Sequence, residues 1–202
     1  MGTVNQVKVQ SQPAASQLYM VAGVAAILSA LLQLASVAFT DWDNPAATNT
    51  SIIVLGALGN IALLPVIYAL YHRLSRVSQG MSAIAAVAGV LALAGATLGS
   101  IVGFDSQIGL VSGIFATFGM LVWLGLTGYM ALTHKLLAPA WAIFTILLGV
   151  AAVTAGITSL TTGSESAASS IAWTVFAVLT IAWALWTGIE LIRRARIAPT
   201  EA

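Results

Sequence analysis

The sequence predicts an all-α polytopic membrane protein, with six transmembrane helices paired as three antiparallel hairpins. Three observations predict it. First, 59% of the 202 residues are hydrophobic and only 6% are charged, against about 25% charged in ordinary soluble domains. A soluble domain of this length could not cover its surface with so few charges. Second, the apolar residues gather into six runs, at 18–39, 52–71, 81–104, 109–132, 140–160 and 171–192. Each is close to the ~20 residues that a helix needs to cross the hydrocarbon layer. Third, Lys8, Arg73, Arg76, Lys135, Arg193, Arg194 and Arg196 all fall on one side of that pattern, while the opposite loops carry only Asp41, Asp43, Asp105 and Glu165. A wrong helix count would scramble this alternation. Lys and Arg are enriched in cytoplasmic loops, so both termini are expected inside.

Residues 1–17 read as a polar cytoplasmic tail. The first span could pass for a signal peptide, with Ser36-Val37-Ala38 as small residues for cleavage. However, its apolar run is far longer than the roughly 7–15 residues of such a segment, so it reads as a retained helix. An acidic loop at 40–51, containing Pro45, leads to the second span. There Pro65 removes a backbone hydrogen bond and is expected to kink the helix. His72-Arg73-Leu74-Ser75-Arg76 closes it. The third and fourth spans are joined by a turn of a few residues around Asp105, so they must be antiparallel neighbours. Pro139 opens the fifth span, where a missing N–H does little harm. The sixth ends in Arg193-Arg194-Ala195-Arg196. The transmembrane domain is thus expected over 18–194, with a cytoplasmic tail at 195–202.

The third span carries Gly95, Gly99 and Gly103, four residues apart and so on one helix face. Each interior Gly costs about 1 kcal/mol against Ala in a helix. In lipid a face without side chains lets another backbone approach closely. The fourth span opens with Gly109-x-x-x-Gly113. These five glycines are expected to form a close contact between the two helices near the outer leaflet.

The last two hairpins look alike. At an offset of 60, Gly89-Val90-x-Ala92 matches Gly149-Val150-x-Ala152, and Trp123-x-x-x-Thr127-Gly128 matches Trp183-x-x-x-Thr187-Gly188. Leu137-Ala138-Pro139 likewise matches Ile197-Ala198-Pro199. A more distant match relates Val21-Ala22-Gly23-Val24 to Val87-Ala88-Gly89-Val90. A hairpin repeat running the same way across the membrane is one reading. Chance agreement between Ala-, Val- and Gly-rich helices is the other.

Three further stretches are Leu70-Tyr71-His72-Arg73-Leu74, Gly125-Leu126-Thr127-Gly128-Tyr129 and Lys135-Leu136-Leu137-Ala138-Pro139. With Ile146-Leu147-Leu148-Gly149-Val150 they give the chain a resemblance to a family of uncharacterised six-helix bacterial membrane proteins, known only as a domain of unknown function. The likeness runs through helices two to six and implies a six-span bacterial membrane protein, without activity or site residues. A fainter resemblance, at Gly188-Ile189-Glu190-Leu191-Ile192, is to the acid-resistance membrane proteins built of three helical hairpins. The proline pattern of that group is missing here.

The residues that could carry chemistry are few. No Asp, Glu, Lys or Arg falls in the middle of a span, which argues against a proton-driven pump but not against a passive pore or carrier. There is no cysteine, hence no thiol catalysis and no Cys-ligated metal. No nucleophile–base pair or phosphate loop is present. Gln33 and Asn60 lie within the bilayer, as interhelical hydrogen-bond partners or as substrate contacts. Trp123, Trp183 and Trp186 are expected to be deep, filling the core or lining a cavity. Tyr19, Tyr68, Tyr71, Tyr129 and Trp141 would form an aromatic belt on one side, with Trp42 and Trp173 on the other. His72 and His134 end matching helices and are weak metal or haem candidates; polar helix ends are the plainer reading. Glu190 is expected to pair with Arg193 or Arg194.

The function expected is that of an integral protein of the bacterial inner membrane with a non-enzymatic structural, accessory or stress-related role. Two alternatives stay open: a passive pore or carrier for a small neutral or apolar molecule, and a redox or lipid-modifying enzyme using His72 and His134. No cofactor is expected. The lipid bilayer is the expected partner and nucleic acid is not, since no basic stripe exists outside the helix ends. A homo-oligomer or a membrane partner is left open.

Overall fold

The structure, a computed structural model, describes residues 12–39, 50–103, 106–163 and 166–197. Seven helices build six spans: α1 Gln12–Ala38, α2 Thr50–Ala62, α3 Leu64–Leu74, α4 Gln79–Val102, α5 Gln107–Thr133, α6 Pro139–Thr162 and α7 Ala167–Ile197. Six helices, counting α2 and α3 together, are long and apolar enough to cross a membrane. The protein is therefore an all-α six-helix membrane protein. Val21, Leu28, Ile84, Ile101, Leu160 and Ile189 are among the large apolar side chains pointing outward, an arrangement suited to lipid and not to water.

Several helices run past the expected spans. α1 begins at Gln12, ahead of the span expected from residue 18. Pro13 suits a first helical turn, and Ser16 Oγ donates to the Ala195 carbonyl at 2.9 Å, so α7 holds this end in place. α7 runs from Ala167 to Ile197, well beyond 171–192. Thr174 Oγ1 bonds back to the Ser170 carbonyl at 2.8 Å, so hydroxyl residues enter the helix at its start. Arg is a good helix former and extends its end. The second span is broken at Leu63. There the Leu63 N–H reaches the Asn60 carbonyl, only three residues back, and Val66 reaches Leu63 in the same way. Pro65, in the first turn of α3, has no N–H to give to Ile61. The tails 1–11 and 198–202, the first outer loop at 40–49, and Asp105 and Glu165 lie outside the described residues, as do Lys8 and Trp42.

The spans close into a ring. α1 packs between α7 and the broken pair; α2 and α3 pack on α4; α4 on α5, α5 on α6, and α6 on α7. The hairpins are straight. Ser159 meets Ser169, Thr145 meets Trp183 and Trp141 meets Thr187, so each step along α6 is matched by an equal step back along α7. α1 and α7 share a similar register, with Ser16 at Ala195 and Gly23 at Gly188. Alternation then gathers Arg73, Arg76, Lys135, Arg193, Arg194 and Arg196 at one end of the bundle, here called the basic end.

The two turns at the opposite end are built alike. Gly103 and Gly163 end α4 and α6 with φ of 78° and 89°, values that favour glycine. Ser106 and Ser166, three residues on, each bond back to that glycine's carbonyl at 3.3 Å through the backbone. Each then accepts at Oγ from the N–H of Gly109 or Ser169, the side-chain cap that starts the next helix.

Candidate functional site

The middle of the ring is filled by Trp123, Trp141 and Trp183, each no more than 2% exposed. On α6 and α7 the sequence Trp-x-x-x-Thr places both side chains on one face. The two copies interlock. Trp141 Nε1 donates to Thr187 Oγ1 and Trp183 Nε1 donates to Thr145 Oγ1, both at 2.9 Å. Thr145 Oγ1 in turn donates to the Trp141 carbonyl at 2.8 Å. A buried indole thereby keeps its hydrogen bond while its ring fills space. Trp123, reaching across from α5, stands edge-on to Trp183 with centroids 5.6 Å apart. Gly89 on α4 makes room for it: a Cβ there would lie 2.9 Å from the indole.

Three aromatic assignments from sequence are corrected. Trp141 is a core residue, not part of the belt. Its signal was the Trp141-x-x-x-Thr145 spacing, the same as Trp183-x-x-x-Thr187. Trp186 does not fill the core: it is 36% exposed and stacks on Phe144 with centroids 6.0 Å apart. Successive helical residues point about 100° apart, so the neighbour of an inward Thr187 turns outward. Tyr19 also leaves the belt, being 9% exposed.

Of the five glycines expected to pack, Gly95 approaches another backbone closely. A Cβ there would meet the Ser112 carbonyl oxygen at 2.6 Å and the Ala116 nitrogen at 2.9 Å, both on α5. Gly99 and Gly109 are buried and Gly113 is half-buried. Gly103 does not pack: nothing lies within 4 Å of a Cβ there, and its positive φ ends the helix. Equally close contacts occur elsewhere. A Cβ on Gly188 would meet the Gly23 carbonyl at 2.7 Å, and one on Gly128 the Ala142 carbonyl at 2.7 Å. Gly23 and Gly128 have no small residue four positions away, so spacing could not reveal them.

Gln33 and Asn60 each donate a side-chain hydrogen bond, only the second of them between helices. Gln33 Nε2 donates to Ser29 Oγ at 3.1 Å within α1, and Asn60 Nδ2 donates to Thr97 Oγ1 at 3.2 Å, linking α2 to α4. Their bonds do not lead to the tryptophan core.

The second polar centre is at the basic end. Glu190 is 8% exposed. Arg194 Nε donates to its Oε1 at 2.7 Å, and Arg193 stands off at 4.0 Å. Arg73 on α3 lies within electrostatic reach of Arg194, Tyr19 and Glu190. Its Nη2 donates to the Leu136 carbonyl at 2.5 Å. With Ser16 on Ala195, these contacts tie α1, α3, α7 and the α5–α6 turn together. Arg73 Nε and His72 Nδ1 are buried without a partner. His134 is exposed, at the C-terminal cap of α5. Among the described residues, no group of three His, Asp or Glu side chains could hold a metal ion. The cluster is one carboxylate amid several guanidiniums, a lock between helix ends.

No protein-family model, curated protein or solved structure matches this chain.

Proposed function

We propose that the protein is a non-catalytic, closed six-helix scaffold of the bacterial inner membrane, with a structural or accessory role and both termini in the cytoplasm. The observation that carries this is the tryptophan plug. Trp123, Trp141 and Trp183 meet at the centre of the ring, and the indole N–H groups of Trp141 and Trp183 are bonded to threonine. A core of packed indoles, two of them hydrogen-bonded to threonine, ties α5, α6 and α7 together and fills the space between them. The resemblance noted above is what supports a bacterial membrane, and the clustered Lys and Arg support the orientation.

The test is flux. Liposomes carrying the protein should pass glycerol no faster than protein-free liposomes, and a reporter fused after Ala202 should be active only in the cytoplasm. Protein-dependent glycerol flux would overturn the closed reading, and an external reporter the orientation. One observation favours a second reading, a carrier for a small neutral or apolar molecule. The broken second span leaves an open groove of about 410 Å³, lined in part by Leu64, Ile67, Tyr68 and Tyr71 of α3 and by Val87 and Leu91 of α4.

The proposal extends to origin: the α4–α5 and α6–α7 hairpins derive from one duplicated hairpin. The matching Gly–Ser turns at an offset of 60 support it. Gly103→Ala and Gly163→Ala should then cost alike, about 1–3 kcal/mol each, as a strained backbone would. Clearly unequal costs would count against a shared turn.

A further inference from the structure

The end of α7 carries a face that the bundle covers only in part, Ile192 packing over Gly23 of α1. Trp141 pairs with Thr187, so Pro139, where α6 begins, stands level with about Ile189. The rest of α7, to Ile197, projects about 12 Å past α6 at 1.5 Å per residue. At 31 residues the whole helix is about 46 Å long, against ~30 Å for the hydrocarbon and ~40–45 Å with headgroups. The projecting turns therefore fall in the headgroup layer.

Ile189, Ile192, Arg193 and Arg196 follow one another at i, i+3, i+4 and i+7, a single stripe along the helix. They line an open groove of about 340 Å³. Ile189 is 60% exposed, and the Arg193 side chain is 71% exposed. Among the described residues Glu190 is the only carboxylate, and it is engaged by Arg194 at 2.7 Å and only distantly by Arg193. On its far side it faces Arg73. The stripe is thus apolar toward the bilayer centre and cationic toward the headgroups, and among the described residues its nearest carboxylate is Glu190, 4.0 Å from Arg193.

We propose that this stripe binds an anionic phospholipid. The phosphate sits between the Arg193 and Arg196 guanidiniums, whose planar forks suit phosphate oxygens, and an acyl chain lies along Ile189 and Ile192. Basic pockets at membrane interfaces hold anionic headgroups in this way. The inference rests on the membrane-spanning fold, and neither the closed core nor the orientation enters it, so glycerol flux or an inverted reporter would leave it standing.

The experiment is native mass spectrometry of the full chain released from nanodiscs containing equal phosphatidylglycerol and phosphatidylcholine. Wild type should retain phosphatidylglycerol preferentially. R193Q/R196Q should lower that retention about thirtyfold, at about fivefold per arginine near a charged surface. R193K/R196K, which keeps the charge, should lose only a few-fold, and its preserved melting temperature would exclude misfolding as the cause. Ile189→Ser should weaken retention without changing headgroup preference. Inorganic phosphate at millimolar concentration should not displace the lipid. Equal retention of the two lipids, unchanged retention in R193Q/R196Q, or displacement by free phosphate would overturn the proposal, the last by making this a site for small anions.

Discussion

Gly95→Ala tests how closely α4 and α5 are packed. The new methyl carbon would stand 2.6 Å from the Ser112 carbonyl oxygen and 2.9 Å from the Ala116 nitrogen. Both are backbone atoms of a regular helix, so neither can swing away. The axes must part by about half an ångström, and a gap of that size already forfeits about a quarter of each dispersion contact along the interface. Overpacking of this kind costs about 1–3 kcal/mol. Against it stands the gain of about 1 kcal/mol from replacing Gly by Ala inside a helix. Gly125→Ala supplies the control, because nothing lies within 4 Å of a Cβ there and the helical gain acts alone. Subtracting the control from the test cancels propensity and leaves the clash. At about 2–4 °C per kcal/mol for a chain of this size, Gly95→Ala should melt about 2–12 °C below Gly125→Ala in detergent, followed by circular dichroism. Gly99→Leu, at the next buried position, should fall further than Leu98→Phe, since Leu98 is 44% exposed. If Gly95→Ala and Gly125→Ala melt together, the two helices are not in backbone contact and the argument fails.

Two other contacts can be weighed in the same way. Thr145→Val and Trp183→Phe remove opposite halves of one buried hydrogen bond, so a double-mutant cycle should show about 0.6–1.7 kcal/mol of coupling, the range of interhelical bonds in lipid; strict additivity would mean the bond contributes nothing. Glu190→Gln leaves Arg194 without its charged partner at 2.7 Å and should cost about 1.5–3 kcal/mol, as charged hydrogen bonds do, whereas Arg193→Gln, breaking only the exposed 4.0 Å approach, should stay within about 0.5 kcal/mol. Equal losses in the two variants would show that the pair at Arg194 is not the lock at that end.

The fold was legible because membrane solvation leaves a coarse and redundant signature. Apolar run length and the alternation of Lys and Arg each point to six spans, and Pro65 marks the break in the second. The interior was less legible, for a physical reason. In a soluble helix an apolar stripe marks the buried face, but here lipid-facing and core-facing positions are both apolar, so composition does not say which way Trp141 or Trp186 points. Orientation came instead from partners. Trp141 is inward because Thr187 on another helix accepts its N–H, and a pairing of that kind is not written locally in either helix. Gly103 misled for the complementary reason: it continues the four-residue rhythm of Gly95 and Gly99, yet a positive φ at a helix end demands the same residue. The bond of Asn60 to another helix was foreseeable in kind but not in its choice of Thr97, whereas Gln33 bonds to Ser29 within its own helix.

The ring is not locked evenly, and this decides where it could open. The α6–α7 hairpin is bonded along its whole length, from Ser159–Ser169 at 2.6 Å through two Trp–Thr pairs. The seam between α3 and α4 lies elsewhere. There Ile67 packs toward Gly89 and Trp123, and outside it lies the groove around Tyr68 and Tyr71. In the same span Pro65 removes one backbone bond and lets α2 and α3 bend at Leu63. If anything moves in this bundle, it is this segment, and Pro65→Ala separates the two functional readings. Restoring the N–H lets a bond form to the Ile61 carbonyl and straightens the span, which should leave a closed scaffold equally impermeable and change only its melting temperature. In a carrier, the bend is the moving part, and the same substitution should abolish protein-dependent glycerol flux. A wild type that conducts and a Pro65→Ala variant that does not would therefore replace the scaffold with a carrier hinged at Leu63. Flux absent from both proteins would leave Pro65 as a shape that fits α3 against α4.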